Sequence, residues 1–124
     1  MSQIEIYKSK DYGVTFYFTH SDQDFTTGLM VIAAHYELPK HNRPLAVENL
    51  VQISGTCLMK LFTDETNFTE HILQKGDHLV ISQGQYHIHA NPHDIESVTL
   101  FKAAGDITAV MDILRKEFDF VKSL

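Results

Sequence analysis

Apolar residues in this chain fall into short runs separated by turn-forming clusters. Residues 14–19 (VTFYFT) are rich in β-branched and aromatic side chains and predict a strand. A polar loop is expected over 21–27, then one long apolar run over 28–38 that Pro39 ends. Residues 46–54 predict a strand closed by Gly55, and 57–62 with 68–73 predict a hairpin around the polar turn TDETN. Further short strands are expected over 78–81, 86–90 and 97–102, set apart by Lys75-Gly76-Asp77, Gln83-Gly84-Gln85 and Asn91-Pro92-His93-Asp94. Many short strands with regular turns point to an all-β sandwich or barrel. The period then changes. Ile107, Val110, Met111, Leu114, Phe118 and Val121 follow helical spacing, and Gly105-Asp106 offers a break and an N-cap. One amphipathic helix over 106–122 is expected, packed on the outside of the barrel or on a partner barrel.

Composition adds boundaries to this picture. The 124 residues suit one domain, 1–124, and 44% hydrophobic residues suffice for a core without staples. The single Cys57 cannot form an internal disulfide, which points to a reducing, cytoplasmic setting. The opening residues MSQIEIYKSK lack the apolar segment of a signal peptide, and no apolar run approaches membrane-spanning length. A net charge of −6 with scattered Lys and Arg argues against nucleic acid, which needs a basic face. Neither a Gly-x-Ser-x-Gly elbow, nor a P-loop, nor a dinucleotide fingerprint occurs.

Candidate chemistry concentrates in two segments. One runs from Gly76 through Gly84 and His87 to Asn91; the other is His41-Asn42-Arg43-PLAV-Glu48-NLVQIS-Gly55. Alternation along a strand puts Glu48, Leu50 and Gln52 on one face, and His87 and His89 on one face of another strand. His41 and Arg43, two apart just after Pro39, could both be aimed inward by an extended loop. Gly55 and Gly84 fall where turns often need positive φ.

The two segments, over residues 39–91, resemble the paired motifs of the cupin family, the RmlC-like superfamily of small barrels that usually hold one metal ion. Chance occurrence of Gly, Gly, His and Asn at these offsets is on the order of 10⁻³ for a chain of this length. The resemblance implies a double-stranded β-helix, the cupin jelly-roll barrel, with the C-terminal helix appended. It implies metal ligands His41, Glu48 and His87. The chain departs from the pattern at Arg43, which stands at the second histidine of the first motif and has no lone pair to give. Ser82 replaces a usual proline of the second motif, a structural position.

What remains is a 2-His-1-carboxylate set, which suits non-haem Fe(II) and also Zn; the expected cofactor is a divalent ion, Fe, Zn, Mn or Ni. His89 is expected as a fourth ligand or as general acid–base, and Arg43 as a clamp for an anionic substrate, making these the candidate catalytic residues. Arg43, His35 and Gln52 are the candidate substrate contacts. The expected activity is oxygenase, isomerase or lyase chemistry on a small polar, anionic molecule. Two alternatives stand beside it: a non-enzymatic small-molecule or metal-binding module, and a metal-free sugar-nucleotide isomerase or epimerase, suggested by a faint likeness of Gly55-Thr56-Cys57 and His87/His89 to the sugar 3,4-ketoisomerase branch. A metal-free barrel in which Arg43 pairs with Glu48 is a further possibility. Partners are expected to be a small-molecule ligand and a second copy of the chain, a homodimer by family analogy, with no nucleic acid and no membrane.

Overall fold

The structure, a computed structural model, describes residues 3–124. Eleven strands and one helix follow in the order β1 (Glu5–Lys8), β2 (Val14–Ser21), β3 (Phe25–Ile32), β4 (Tyr36–His41), β5 (Ala46–Ser54), β6 (Cys57–Phe62), β7 (Phe68–Leu73), β8 (His78–Ile81), β9 (His87–Asn91), β10 (Ser97–Gly105), α1 (Thr108–Glu117) and β11 (Asp119–Ser123). They form a seven-stranded sheet, β11-β1-β2-β3-β10-β5-β8, and a four-stranded sheet, β4-β9-β6-β7. The all-β architecture expected from the apolar pattern is the one found.

Period-two alternation explains how the sheets close on one core. Val14, Phe16 and Phe18 of β2 turn inward, as do Met30 and Ile32 of β3, Leu50 of β5, Phe101 and Ala103 of β10. The smaller sheet answers with Leu38 from β4 and Cys57, Met59 and Leu61 from β6. Burying such side chains stabilises by about 1.5–3 kcal/mol each relative to exposure. Two motif residues act as fasteners. The buried Asn91 amide donates to the carbonyls of Ile32, Ala33 and Ile95 at 3.0, 3.3 and 2.8 Å, tying together two crossing segments. Gly55 has φ +65°, and a Cβ there would stand 2.2 Å from the Glu96 carbonyl oxygen, so this turn requires glycine.

Four local expectations need correction. The apolar run 28–38 is two strands, split by a turn in which His35 takes φ +65°. The polar loop expected over 21–27 shrinks to a tight turn, because Asp22 accepts hydrogen bonds from the amides of Asp24 and Phe25. The helix spans Thr108–Glu117, not 106–122; Ile107 is its N-cap, while Asp106 receives the amide and hydroxyl of Thr108. The residues after it form β11, which pairs with β1 and sets Phe120 edge-on to Tyr7 at 5.4 Å. Phe118 and Val121 match the helical period, but the unpaired edge of β1 competes for this segment and wins. The helix packs on the barrel by one face, through Met111 and Leu114, with its N-cap Ile107 also in the core.

Candidate metal centre

Three histidines converge between the two sheets. His87 and His89 point inward from β9, as the two-residue spacing requires, and are flanked by Leu61 and Met59 of β6. His41 comes from the end of β4, where a bulge between Leu38 and His41 shifts the register. Regular alternation from Leu38 would bury Lys40 and expose His41. The extra residue, beside a proline that has no N–H to pair, brings His41 opposite His87 instead. The ring centroids lie 4.3 Å apart for His41–His87, 5.0 Å for His87–His89 and 5.4 Å for His41–His89.

The nitrogen chemistry is more telling than the proximity. His41 Nδ1 donates to the Pro39 carbonyl at 2.7 Å and His87 Nδ1 to the Gln85 carbonyl at 2.9 Å. Both rings therefore carry the lone pair on Nε2. Those two Nε2 atoms and His89 Nδ1 are buried without a hydrogen-bond partner. Potential ligand atoms of the three residues lie within 4.8 Å of one another. An orphaned buried polar atom costs about 1–3 kcal/mol, so three on rings this close together are costly unless something electropositive satisfies them. Backbone carbonyls that fix the tautomer from the far side are the usual support of metal-bound imidazole. The donor set fits a divalent transition ion.

Electrostatics keep these rings neutral. Burial pushes the imidazolium forms of His41 and His89 far down; for His41 the positive Arg43 adds to it, and for His89 the neighbouring histidines do. His87 is also lowered by burial, with the Glu48 carboxylate pulling the other way. Neutral imidazole is the form that ligates a metal.

Glu48 reaches in from β5 of the opposite sheet. Its Oε1 lies 3.7 Å from His87 Nε2 and 3.5 Å from Arg43 Nε. It stands at the edge of the cluster, shared between an imidazole and a guanidinium. The expected His41, Glu48 and His87 come together here, and His89 joins the two histidines in the cluster. Arg43 is half-buried nearby on a loop strapped to the 83–84 turn, where Asn42 donates to the Gly84 carbonyl at 3.1 Å and Gly84 donates to the Arg43 carbonyl at 3.0 Å. Burial lowers the Arg43 pKa, and Glu48 opposes that shift.

Two expected substrate contacts lie elsewhere. His35 sits on the exposed β3–β4 turn and bonds Asp94 at 2.7 Å, since the turn that splits the apolar run carries it away from the barrel interior. Gln52 is buried and its amide is engaged: Nε2 donates to the Ser54 carbonyl and Ser97 Oγ, and Oε1 accepts from Thr99 Oγ1, holding β5 to β10. Cys57 is a buried strand residue, its thiol pushed up to about 11 by burial.

Beside the histidines lies a cavity that the sequence did not announce. His41, Arg43, Glu48 and His89 form its polar end, and the rest of its wall is apolar, including Phe16, Met30 and Phe101 from the barrel and Met111 and Leu114 from α1. The helix lines one side of it. Its volume is about 30 Å³. A single water needs about 10–15 Å³ by that measure. An outer hollow lined by Tyr12, Lys40 and Glu117 shares His41 and Arg43 with it.

No known family model matches the chain, and no curated protein matches by sequence. Solved structures do match by shape. Oxalate oxidase in complex with glycolate aligns with TM-score 0.69 and 16% identity over 78% of this chain and 53% of that one. The Drosophila melanogaster CENP-C cupin domain aligns with TM-score 0.70 and 18% identity over 81% and 75%, and a Schizosaccharomyces pombe cupin domain with TM-score 0.66 and 16% identity over 86% and 73%. This chain spans about half the length of the oxalate oxidase chains it matches. Likeness at this level of identity establishes the fold.

Proposed function

We propose that this chain, which has the cupin fold, binds one divalent metal ion through His41, His87 and His89 and presents it to a small anionic molecule. The observation that carries the reading is the cluster of three histidines whose potential ligand atoms lie within 4.8 Å of one another, each ring with a buried nitrogen that has no hydrogen-bond partner. Glu48 is the fourth donor within reach. Arg43, on the cavity wall, is the anchor for substrate charge. A bound ion would supply Lewis acidity for isomerisation or elimination, or an oxygen-activating centre if it is iron. The chain's own contribution is to hold three neutral ligands ready beside a mostly apolar cavity. That the oxalate oxidase fold is a match is consistent with this reading.

One observation favours a second reading. Arg43 and Glu48 stand 3.5 Å apart with little exposure, and such a pair could occupy the polar end of a metal-free barrel. That reading leaves the histidine nitrogens unexplained. The sugar-nucleotide alternative gains no support from a small cavity whose walls are mostly apolar and offer few partners for sugar hydroxyls.

Elemental analysis of the purified, untagged protein after dialysis tests the proposal. About one metal per chain, lost in His87→Ala while the circular dichroism of the barrel persists, is the expected result. Metal that is neither present nor taken up on reconstitution would establish the metal-free barrel. A homodimer goes with this proposal, through the outer face of the larger sheet, where Leu29, Leu100 and Val51 stand side by side. Light scattering at a mass of one chain would refute it. Among the described residues no helix is long and apolar enough to cross a membrane.

A further inference from the structure

The cavity beside the histidines is small and mostly apolar. Its volume of about 30 Å³ is room for roughly two or three waters. An organic acid does not fit there. Phe16, Phe18, Phe101, Met30 and Met111 make up much of the wall, and Ala103 adds only a methyl group. At the polar end Arg43 is already engaged: Nη1 donates to the Asn42 carbonyl and Nε faces Glu48. With an ion on the histidine nitrogens, little remains there to hold water. Water confined among apolar side chains loses hydrogen bonds, and such cavities stay dry and take up small apolar guests such as xenon.

Size also discriminates among reactions. Isomerisation and elimination work on a single organic molecule, which the cavity excludes and for which it has no use. Oxygenation has a second reactant that is diatomic, apolar and uncharged. We infer that the cavity is a dioxygen site beside the three-histidine centre. The anionic molecule then belongs in the outer hollow, whose volume is about 300 Å³ and which shares His41 and Arg43 with the cavity. Small-molecule pockets begin at about that size. The inference rests on the metal reading above and adds to it the second reactant, which selects oxygenase chemistry from the classes that reading allows. Ala103 keeps the space open, since a larger side chain at this inward position of β10 would fill it.

The experiment is methyl NMR relaxation of the methionines in the zinc-loaded protein, under oxygen and under nitrogen. Dioxygen is paramagnetic, and its effect on relaxation falls steeply with distance. Met30 and Met111 border the cavity, whereas Met59 is as deeply buried in the same core but is not on the cavity wall. Oxygen should speed relaxation of the Met30 and Met111 methyls well beyond that of Met59. Ala103→Leu should bring both down to the Met59 level and leave zinc per chain unchanged; should that variant not fold, Ala103→Val serves instead. A second arm separates a ligand site from a mere packing void. In protein loaded with iron(II) under nitrogen, nitric oxide, used as a diatomic probe, should bind about tenfold more weakly to the Ala103 variant than to the unaltered chain, with iron per chain unchanged. Equal relaxation gains at Met30, Met59 and Met111, or a nitric oxide affinity that the folded variant leaves unchanged, would overturn the inference while the metal reading stands. Protein that retains neither zinc nor iron would overturn both.

Discussion

Acidifying the metal-free protein should cost it stability well before its carboxylates titrate, and the three buried histidines set the size of the loss. Each is held below the ordinary imidazole range by burial. The unfolded chain takes up protons as the pH drops through about 6.5, whereas the folded chain does not. The stability these groups contribute is therefore complete above about pH 6.5 and is lost as the pH falls below it. At pH 5.5, one unit below that reference, each histidine that stays neutral in the fold costs about 1.4 kcal/mol. His41 and His89, held lowest, account for about 3 kcal/mol, and His87 brings the upper figure to about 4. A domain of this size has a total of about 5–15 kcal/mol, so the loss is large. Asp22 and Asp64, held at about 2 by hydrogen bonds, first the Phe25 amide for Asp22 and the Asn67 side chain for Asp64, stay ionised throughout this window. The assay is urea denaturation in EDTA at pH 7.5, 6.5 and 5.5. A loss of 3 kcal/mol lowers the midpoint by about 1–3 M at usual slopes. His89→Phe should remove about a third of the pH dependence. Equal midpoints at pH 5.5 and 7.5, or a variant with the same pH slope, would refute the claim that these rings are buried and neutral.

Three further outcomes are expected. Asn91→Ala should destabilise by about 2–3 kcal/mol in the same assay, because three carbonyls lose their shared donor; a change under about 0.5 kcal/mol would mean that the loop crossing is held otherwise. The Cys57 thiol, buried with a pKa of about 11, should resist a disulfide reagent at pH 8 until urea unfolds the chain, and rapid labelling of the native protein would contradict its burial. His35→Ala should leave metal per chain unchanged and shift stability by less than about 0.5 kcal/mol, since its pair with Asp94 is exposed; loss of metal would return His35 to the site.

Much of the barrel is local information. The alternation of Val14, Phe16 and Phe18, or of Glu48, Leu50 and Gln52, assigns faces without knowledge of any partner strand. The glycine, histidine and asparagine spacing that marks the cupin motifs is local as well: Gly55 answers a turn's φ, and Asn91 caps carbonyls around its own loop and the β3–β4 turn. His87 and His89 share a face for the same reason. What a single strand could not reveal was which inward residues meet. That depends on register between strands, and a one-residue bulge after Leu38 decides it for His41. The distances among His41, His87 and His89, and the diversion of Glu48 toward Arg43, are properties of two sheets facing each other. Gln52 shares its inward face with Glu48, yet the tertiary fold spends its amide on Ser97 and Thr99. The C-terminal segment makes the same point. Its apolar period was readable, but β11 exists because β1 offers an open edge, and α1 lines the cavity because the barrel leaves Met111 and Leu114 an apolar place to go. Sequence periodicity sets the direction in which a side chain leaves its own strand or helix. Only the packing of distant elements sets what it meets there, because that contact depends on the register and approach of segments far apart in the chain.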